Sequence, residues 1–298
     1  MNWFPDEPAL PESQLTTGTS SLRYEDVSQD GRLMLLALPH AIGEVIWHKL
    51  LLHHPVTRAA HAGIIPILTR FVVEGGDGTI SVRWPLTATG GYQLSHTVGD
   101  DGQPRHLMLN MWANVTGKLG RTNAAVPPGA GEPVHVGRAF AEHVFTRLFA
   151  PPAERRITRF EMEGLPPLPP DRFTWRGHEP VLALPPGAQP LDELTVDAAP
   201  IAFGLNHTDS NQHVNSLVYP RLFQDAALRR LAAHGLPTRL LARRLEIAYR
   251  KPCFAGAIAQ IVLRTWVDGD RVGAVGAFIS KDAPLEKPHC TLQLSFIK

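Results

Sequence analysis

Three polar side chains that suit hydrolytic chemistry stand two residues apart in the segment N-H-T-D-S-N-Q-H-V-N at 206–215. They are Asp209, Asn211 and His213. A carboxylate can activate a water molecule or attack a carbonyl carbon itself, and a neighbouring amide and imidazole can orient the water or the carboxylate. Asp and Asn also favour ordinary Asx-turns and helix caps. The segment by itself therefore allows either a hydrolytic site or a simple turn.

A helix predicted over residues 214–235 follows this segment, and Gly235 would close it. A turn that enters a helix brings side chains at i, i+2 and i+4 together and presents free backbone N–H groups at the positive end of the helix dipole. Such groups can hold the oxyanion of a tetrahedral intermediate. The pattern predicts a site suited to acyl-thioester hydrolysis without a metal. Pro220 is tolerated only near a helix start, which allows the helix to begin later than Val214.

The order of predicted elements occurs twice along the chain. In the second half, a strand at 200–207 and the loop 208–212 precede the helix, and four strands follow it at 240–253, 257–269, 271–282 and 287–298. The first half is predicted as a buried strand at 32–40, a helix at 41–63 ending at Gly63, strands at 65–76, 79–98 and 105–119, and an amphipathic helix at 133–150. A sheet wrapped around one central helix matches each half, so the class is α+β. One large α+β domain is the competing interpretation.

The predicted domain boundaries follow from this repeat. Residues 1–30 are expected to form an N-terminal extension and residues 31–150 the first domain. Ten of the chain's 27 prolines fall between 151 and 190, which predicts a linker or crossover over 151–194. Residues 195–298 would form the second domain, which carries the Asp/Asn/His loop.

The motif D-S-N-Q-H-V-N-S at 209–216, with Tyr219 and then L-E-I-A-Y-R-K-P-C at 245–253, resembles the acyl-ACP thioesterases of the hotdog superfamily. The resemblance covers roughly residues 206–266 and implies a tandem, double-hotdog fold with its catalytic loop in the C-terminal hotdog. It implies that Asp209 is the acid/base or nucleophile, that Asn211 positions Asp209 or the thioester, and that His213 assists. Asn215 would hold the loop or cap the helix. The first half would be non-catalytic and would shape the acyl pocket.

The same resemblance implies further substrate-binding residues and shows one departure. Tyr219 and Cys253 fall at positions near the family's site. Plant members carry a Glu just before that Cys, where this chain has Pro252, so the carboxylate would come from elsewhere or Asp209 would act alone. Seven basic residues between 229 and 251, including Arg250 and Lys251, are opposed by Glu246 alone. Such a charge suits an acidic acyl carrier protein or the phosphates of CoA, or forms a solvated face.

Two alternative functions remain open at this point. His40 and Glu44, four residues apart, could form the His–carboxylate pair of a hotdog dehydratase or hydratase. A non-catalytic acyl-binding protein could also keep the fold, because fold alone does not determine function.

The global composition carries no signal for nucleic acid. The chain has 29 basic and 28 acidic residues and a net charge of +1. Its two cysteines form no disulfide framework or CxxC site, and we predict no metal and no cofactor. We see no signal peptide and no apolar run near the roughly 20 residues of a membrane span. We therefore expect a cytoplasmic monomer or homodimer with no membrane partner.

Overall fold

The computed structural model describes residues 4–281, 284–285 and 287–297. The chain divides into two compact units, Met1–Trp175 and Arg176–Lys298. Each unit contains an antiparallel sheet with a helix packed on one face. The structure therefore has the α+β class predicted from the element order.

The first unit is built on five antiparallel strands in the order β1-β3-β4-β5-β2. Their bounds are Leu15–Ser20 (β1), Ile64–Gly75 (β2), Leu86–Val98 (β3), Pro104–Lys118 (β4) and Pro133–Arg147 (β5). A two-residue strand, Asp171–Arg172 (β6), pairs with β3 in parallel. Gly102 closes the tight β3–β4 turn in the left-handed region, with a φ of 72°.

The helix of the first unit runs in two pieces. Pro39–Ala41 (α1) continues directly into a π-helical segment, Ile42–Leu51, which packs on β1, β3 and β4. Pro55–Arg58 (α2) follows and passes through a short 3-10 turn to Gly63, whose φ is 71°. The helix predicted over 41–63 is thus present but interrupted before Pro55, and Gly63 ends it as expected.

Of the strands predicted in the first half, one is absent and another begins later than predicted. Residues 32–40 form no strand: a 3-10 turn, Leu35–Ala37, leads into α1. A short apolar run bounded by proline cannot separate a strand from a buried helical turn, and Pro39 is well placed at the first helical position. The strand predicted over 79–98 begins only at Leu86, after the turn in which the Trp84 amide bonds to the Ser81 carbonyl.

The helix predicted over 133–150 is also wrong, because these residues form β5. β5 lies between β4 and β2 and is buried on both faces. A strand covered on both faces has apolar residues in succession rather than in alternation, and here that succession imitates a helical stripe. The β-branched and aromatic residues of the segment, among them Val136, Phe140 and Phe145, suit a strand.

The N-terminal segment packs on the face of the first sheet opposite the helix. Phe4 is buried in a cluster with Val72, Trp112 and Phe140, and the partly buried Phe173 packs against it. The Trp112 indole N–H donates to the Pro5 carbonyl at 3.3 Å. Residues expected to form an extension therefore contribute to the core and, through β1, to the sheet.

The second unit holds four long antiparallel strands in the order β10-β13-β12-β11. Three two-residue strands, Gln189–Pro190 (β7), Thr195–Val196 (β8) and Ile201–Ala202 (β9), pair with β11. The long strands are Leu241–Tyr249 (β10), Ile258–Asp268 (β11), Arg271–Ser280 (β12) and Cys290–Ile297 (β13). They confirm the four predicted strands, whose last positions at 282 and 298 lie outside the described residues. The strand predicted over 200–207 shrinks to β9.

Helix α3, Val218–Ala233, packs on all four long strands of the second unit. It begins four residues after Val214, so Pro220 falls in its first turn, where its missing N–H costs nothing. Gly235 has a φ of 74° and its amide bonds to the Ala232 carbonyl at 2.9 Å, which closes the helix as predicted. Gly276 of β12 permits the close approach, because a Cβ there would lie 2.8 Å from the Phe223 ring.

The Pro-rich segment 176–194 is ordered against the second sheet. The side chains of Thr291 and Gln293 donate to the carbonyls of His178 and Ala183 at 2.9 and 3.0 Å. Asp192 accepts from the backbone amide of Thr265 at 2.6 Å. This part of the predicted linker is therefore a covering layer.

No single helix within the described residues is both long and apolar enough to cross a bilayer, although Leu35–Leu51 and Pro55–Ala62, bent by 93°, meet the same length and composition criterion as a pair.

Candidate active site

The Asp/Asn/His segment folds into a tight hairpin just before α3. Thr208 and Val214 form an isolated antiparallel bridge, and the Asp209 amide donates to the His213 carbonyl at 3.2 Å. The Gln212 amide donates to the Asp209 carbonyl at 2.9 Å. Gln212 has a φ of 63°, a left-handed conformation that favours Gly or Asn. The turn therefore places the backbones of Asp209 and His213 directly opposite each other.

The Asp209 carboxylate is held by two hydrogen bonds from its own loop. Oδ1 accepts from the Asn211 backbone N–H and Oδ2 accepts from the Asn215 side-chain amide, each at 2.9 Å. Asp209 is half-buried. Each carboxylate oxygen can accept a further hydrogen bond, so the group is oriented and still able to bind a water proton.

Asn215 ties the carboxylate to the helix. Its Oδ1 accepts from the Leu217 N–H at 2.9 Å while its amide donates to Asp209. Its backbone carbonyl accepts from the Val218 N–H at 3.0 Å. The geometry is that of a residue that both holds the loop and caps the helix.

The His213 ring bonds to its own neighbour. Nδ1 lies 3.1 Å from the Val214 carbonyl. A carbonyl only accepts, so Nδ1 carries the proton and Nε2 of the neutral ring is the acceptor. Asn211 is exposed at the tip of the turn. Among the described residues, neither the Asn211 side chain nor the His213 ring hydrogen-bonds the Asp209 carboxylate.

Some of the amide donors expected at the helix start are already occupied. Asn215 already occupies the N–H groups of Leu217 and Val218, and Pro220 has none. In the described part of the chain, the backbone N–H groups of Ser210 and His213 have no hydrogen-bond partner. The turn that holds Asp209 therefore supplies free amides of its own, in addition to the N–H groups of Ser216 and Tyr219, which also have no partner among the described residues.

The 250–253 turn supports the loop from behind. The Val214 amide donates to the Cys253 carbonyl at 2.8 Å, and the Cys253 amide donates to the Tyr219 hydroxyl at 2.9 Å. The Tyr249 hydroxyl donates to the Ser216 carbonyl at 2.8 Å. Sequence reasoning missed Tyr249, because nothing local to it signals a partner 33 residues earlier.

Tyr219 and Cys253, predicted to bind substrate, are both buried, at 3% and 2% exposure. Burial raises the pKa of the Cys253 thiol, and it raises the pKa of the Tyr219 and Tyr249 hydroxyls. The thiol is therefore protonated at neutral pH and is a poor nucleophile. In this structure both residues brace the loop.

Arg250 and Lys251 are exposed at the start of the same turn, and their amides both donate to the His289 carbonyl. The other basic residues of 229–251 do not continue this surface. Arg229 and Arg230 pair with Asp197 and Asp192 at 2.6 and 3.0 Å. Arg243 is buried, and Arg239, Arg243 and Arg244 lie before or in the first half of β10, at the end of the strand away from the 250–253 turn.

A Ser–His pair that the sequence analysis missed lies behind this turn. The Ser280 Oγ is 2.8 Å from Nε2 of His289, and both residues are half-buried. Burial and the nearby charge of Lys251 lower the pKa of His289, so the ring is neutral near pH 7. The pair joins the end of β12 to the start of β13 beneath Lys251.

The second acid/base pair considered from the sequence takes a different arrangement. The Glu44 carboxylate lies 3.5 Å from Nδ1 of His48, while His40 is exposed on α1. No group of three or more His, Cys, Asp or Glu residues within the described ranges could hold a metal ion.

No protein-family model matches the chain, and a search of curated proteins finds no match. Solved structures do match. An acyl-ACP thioesterase from Bacteroides thetaiotaomicron superposes with a TM-score of 0.60 at 13% identity, covering 96% of this chain and 98% of that one. A 12:0-ACP thioesterase from Umbellularia californica superposes with a TM-score of 0.55 at 10% identity, covering 95% and 93%. The chain is a double hotdog. The double-hotdog fold predicted from the sequence is confirmed, and at these identities the likeness shows the fold alone.

Proposed function

We propose that this double hotdog hydrolyses an acyl thioester of an acyl carrier protein or of CoA to the free acid and the thiol. The observation that carries the proposal is the Asp209 carboxylate, fixed by Asn211 and Asn215 beside a helix start and still able to accept a proton. The fold neighbours named as acyl-ACP thioesterases support the same reaction class.

In the proposed reaction Asp209 acts on the water molecule or on the thioester. As a general base, Asp209 takes a proton from water while the water oxygen attacks the carbonyl carbon. The free N–H groups of Ser210 and His213 would receive the developing oxyanion. Collapse of the intermediate breaks the C–S bond, and the proton on Asp209 returns to the departing thiolate. As a nucleophile, Asp209 would instead attack the carbonyl carbon and expel the thiolate, which takes a proton from solvent, and water would then hydrolyse the acyl anhydride to the free acid and the Asp209 carboxylate.

The remaining site residues take supporting roles in this proposal. His213 offers Nε2 as an acceptor that can orient the water molecule. Asn211 is exposed where the thioester would approach. Arg250 and Lys251 are exposed beside the loop and suit the phosphates of CoA or an acidic carrier protein. Tyr219 and Cys253 would shape the site from behind through the hydrogen bond between them.

The test is thiol release from a panel of acyl-CoA and acyl-ACP substrates, measured for the wild type, Asp209→Asn and a control, Asp225→Asn, which alters an exposed carboxylate on α3. Loss of a general base lowers the rate by about 100- to 10,000-fold, so Asp209→Asn should lose activity on that scale while the control keeps it. A wild type that releases no thiol from any substrate, or a fully active Asp209→Asn, would refute the proposal. Acyl binding without turnover would favour the acyl-binding alternative.

A further inference from the structure

One end of the first unit exposes several large apolar side chains. Phe149 is 84% exposed and Trp175 is 45% exposed, and Leu148 and Val98 are 39% and 38% exposed. Single exposed apolar residues are ordinary on protein surfaces, whereas a contiguous group marks an interaction site. Whether these four side chains mark an interaction site therefore depends on whether they lie next to one another.

The register of the first sheet brings these residues together. Val98 ends β3 and pairs with Pro104 at the start of β4. β4 runs antiparallel to β5, so the start of β4 adjoins Arg147, the residue before Leu148 and Phe149. Adjacent strands lie about 4.8 Å apart, which places Val98 and Leu148 at the same end of three neighbouring strands.

Trp175 belongs to the same end. Its ring meets the His106 ring edge-on, with 4.7 Å between centroids, and His106 is the third residue of β4. A Phe or Trp side chain presents about 150–250 Å², so at these exposures the two aromatic rings alone offer roughly 250 Å² of surface. With the exposed parts of Leu148 and Val98 the group approaches the size of the largest apolar patch on a typical monomer, about 300–600 Å², which is often functional.

Arginine side chains accompany this apolar group. The segment 146–159 contains four arginines against a single acidic residue, Glu154. Arg155 and Arg156 are exposed. The Arg155 Nε donates to the Ala150 carbonyl at 2.9 Å, and the Arg147 amide donates to the Arg155 carbonyl, also at 2.9 Å. These bonds hold the Arg155 guanidinium group next to the Phe149 turn.

The other charges at this end leave it cationic. Arg105 forms an ion pair with Asp101 at 3.0 Å, so these two charges compensate. Burial lowers the pKa of His106 most, and the positive charges of Arg156 and Arg105 lower it further. Arg156 therefore lies close to the ring that contacts Trp175. Asp100 adjoins the same turn as Asp101. The acidic residues named at this end, Asp100, Asp101 and Glu154, are thus fewer than its arginines, Arg105, Arg147, Arg155 and Arg156.

We propose that this end, defined by Val98, Leu148, Phe149, Trp175, Arg155 and Arg156 and called the apolar–arginine end, docks on the surface of an anionic lipid bilayer. Aromatic rings settle at the depth of the headgroups, where arginines reach lipid phosphates. Phe149 projects from a turn followed by Pro151 and Pro152, and a projecting ring can enter a soft interface without a preformed pocket. The contact is peripheral, and it does not depend on the thioesterase proposal.

The test is co-sedimentation of the full chain with vesicles of phosphatidylcholine alone or mixed with an equal part of phosphatidylglycerol. We expect binding to the anionic vesicles only, and release by high salt. The double variant Arg155→Glu/Arg156→Glu should weaken binding by at least about 30-fold, since each arginine contributes roughly fivefold near an anionic surface. Phe149→Ser should also weaken it. Tyr24→Ser removes an aromatic ring that is 72% exposed elsewhere on this unit and should bind like the wild type.

Three results would overturn the proposal: no sedimentation, equal binding to both kinds of vesicle, or equal losses for Tyr24→Ser and Phe149→Ser. Thermal unfolding shows whether each variant is folded. A second measurement on the wild type does not depend on the variants, because brominated anionic lipid should quench tryptophan fluorescence. Absence of quenching would overturn the proposal as well. Neither measurement uses a thioester, so failure here leaves the proposed hydrolysis untouched.

Discussion

Replacing Asn215 by Asp tests how the Asp209 carboxylate is held. The Asn215 amide now donates to Oδ2 of Asp209 at 2.9 Å while its own Oδ1 accepts from the Leu217 N–H. In Asn215→Asp the bond to Leu217 survives, but a second carboxylate takes the place of the donor. The change therefore converts one attractive contact into a repulsive one and leaves the helix cap in place.

The magnitude follows from that geometry. Two unit charges about 4 Å apart repel by about 1 kcal/mol in water and about 4 kcal/mol at an effective dielectric of 20. Both residues are half-buried, so solvent screening favours the lower part of that range. The lost hydrogen bond to a charged group adds roughly 1.5 kcal/mol. We expect Asn215→Asp to lower the free energy of unfolding by about 3 kcal/mol at pH 7.

The assay is urea unfolding of the wild type, Asn215→Asp and Asn215→Ala at pH 7 and in mild acid. In acid one of the two facing carboxyl groups takes up a proton and can donate to the other, so most of the loss in Asn215→Asp should be regained. Asn215→Ala loses both bonds without adding charge, and its loss of about 2 kcal/mol should depend little on pH. Equal losses in the two variants at both pH values would refute this account of the loop.

Three further perturbations test other parts of the structure. Gln212→Gly should raise the Tm, because a residue with a Cβ is strained at a φ of 63° and glycine is not. After subtraction of the backbone entropy that glycine loses on folding, the gain is about 1 kcal/mol. A lower Tm would contradict the left-handed turn. Burial lowers the pKa of His143 to about 4 in the folded protein, from an ordinary value of 6.5. The unfolded chain therefore takes up the proton first, so the free energy of unfolding is highest above pH 6.5 and falls as the pH drops towards 4. His143→Gln should therefore gain about 2 kcal/mol relative to the wild type between pH 7 and pH 5, measured by urea unfolding; a constant difference would mean that the ring can reach solvent. Phe4→Ala should cost about 3 kcal/mol by emptying the cluster on the outer face of the first sheet, whereas Phe149→Ala, which alters a side chain that is 84% exposed, should cost almost nothing; similar losses would place Phe4 outside the core.

Much of the second unit could be predicted from the sequence because its signals are local. Gly235 in the left-handed region ends α3, and Pro220 is compatible only with its first turn. Turn residues such as Gly269, with a φ of 56°, separate the largely apolar strands β11 and β12. The Asp209–Asn211 bond joins residues two positions apart, so its geometry is already implied by an Asx-turn. These features depend on backbone preferences that a few neighbouring residues determine.

The first unit shows where local signals fail. The segment 133–150 has a helical stripe of apolar residues, yet it becomes β5 because β4 and β2 pair with both of its edges and packing covers both of its faces. No neighbouring residue announces those partners. Residues 32–40 are as apolar as a buried strand, but in the structure they turn into α1 at Pro39. In both cases long-range pairing, rather than local propensity, selects the element.

In the candidate site, too, some features follow from neighbouring residues and others from long-range contacts. The sequence by itself determined which residues form the loop and that a helix follows it. Only the tertiary structure decided what holds the loop, because the contacts from Cys253 to Val214 and Tyr219, and from Tyr249 to Ser216, join residues more than 30 positions apart. It also showed that Asn215 occupies the N–H groups of Leu217 and Val218, and that the N–H groups of Ser210 and His213 in the turn have no partner among the described residues. A hydrogen bond across such a separation depends on the packing of α3 against the sheet, and no pattern of neighbouring residues specifies that packing.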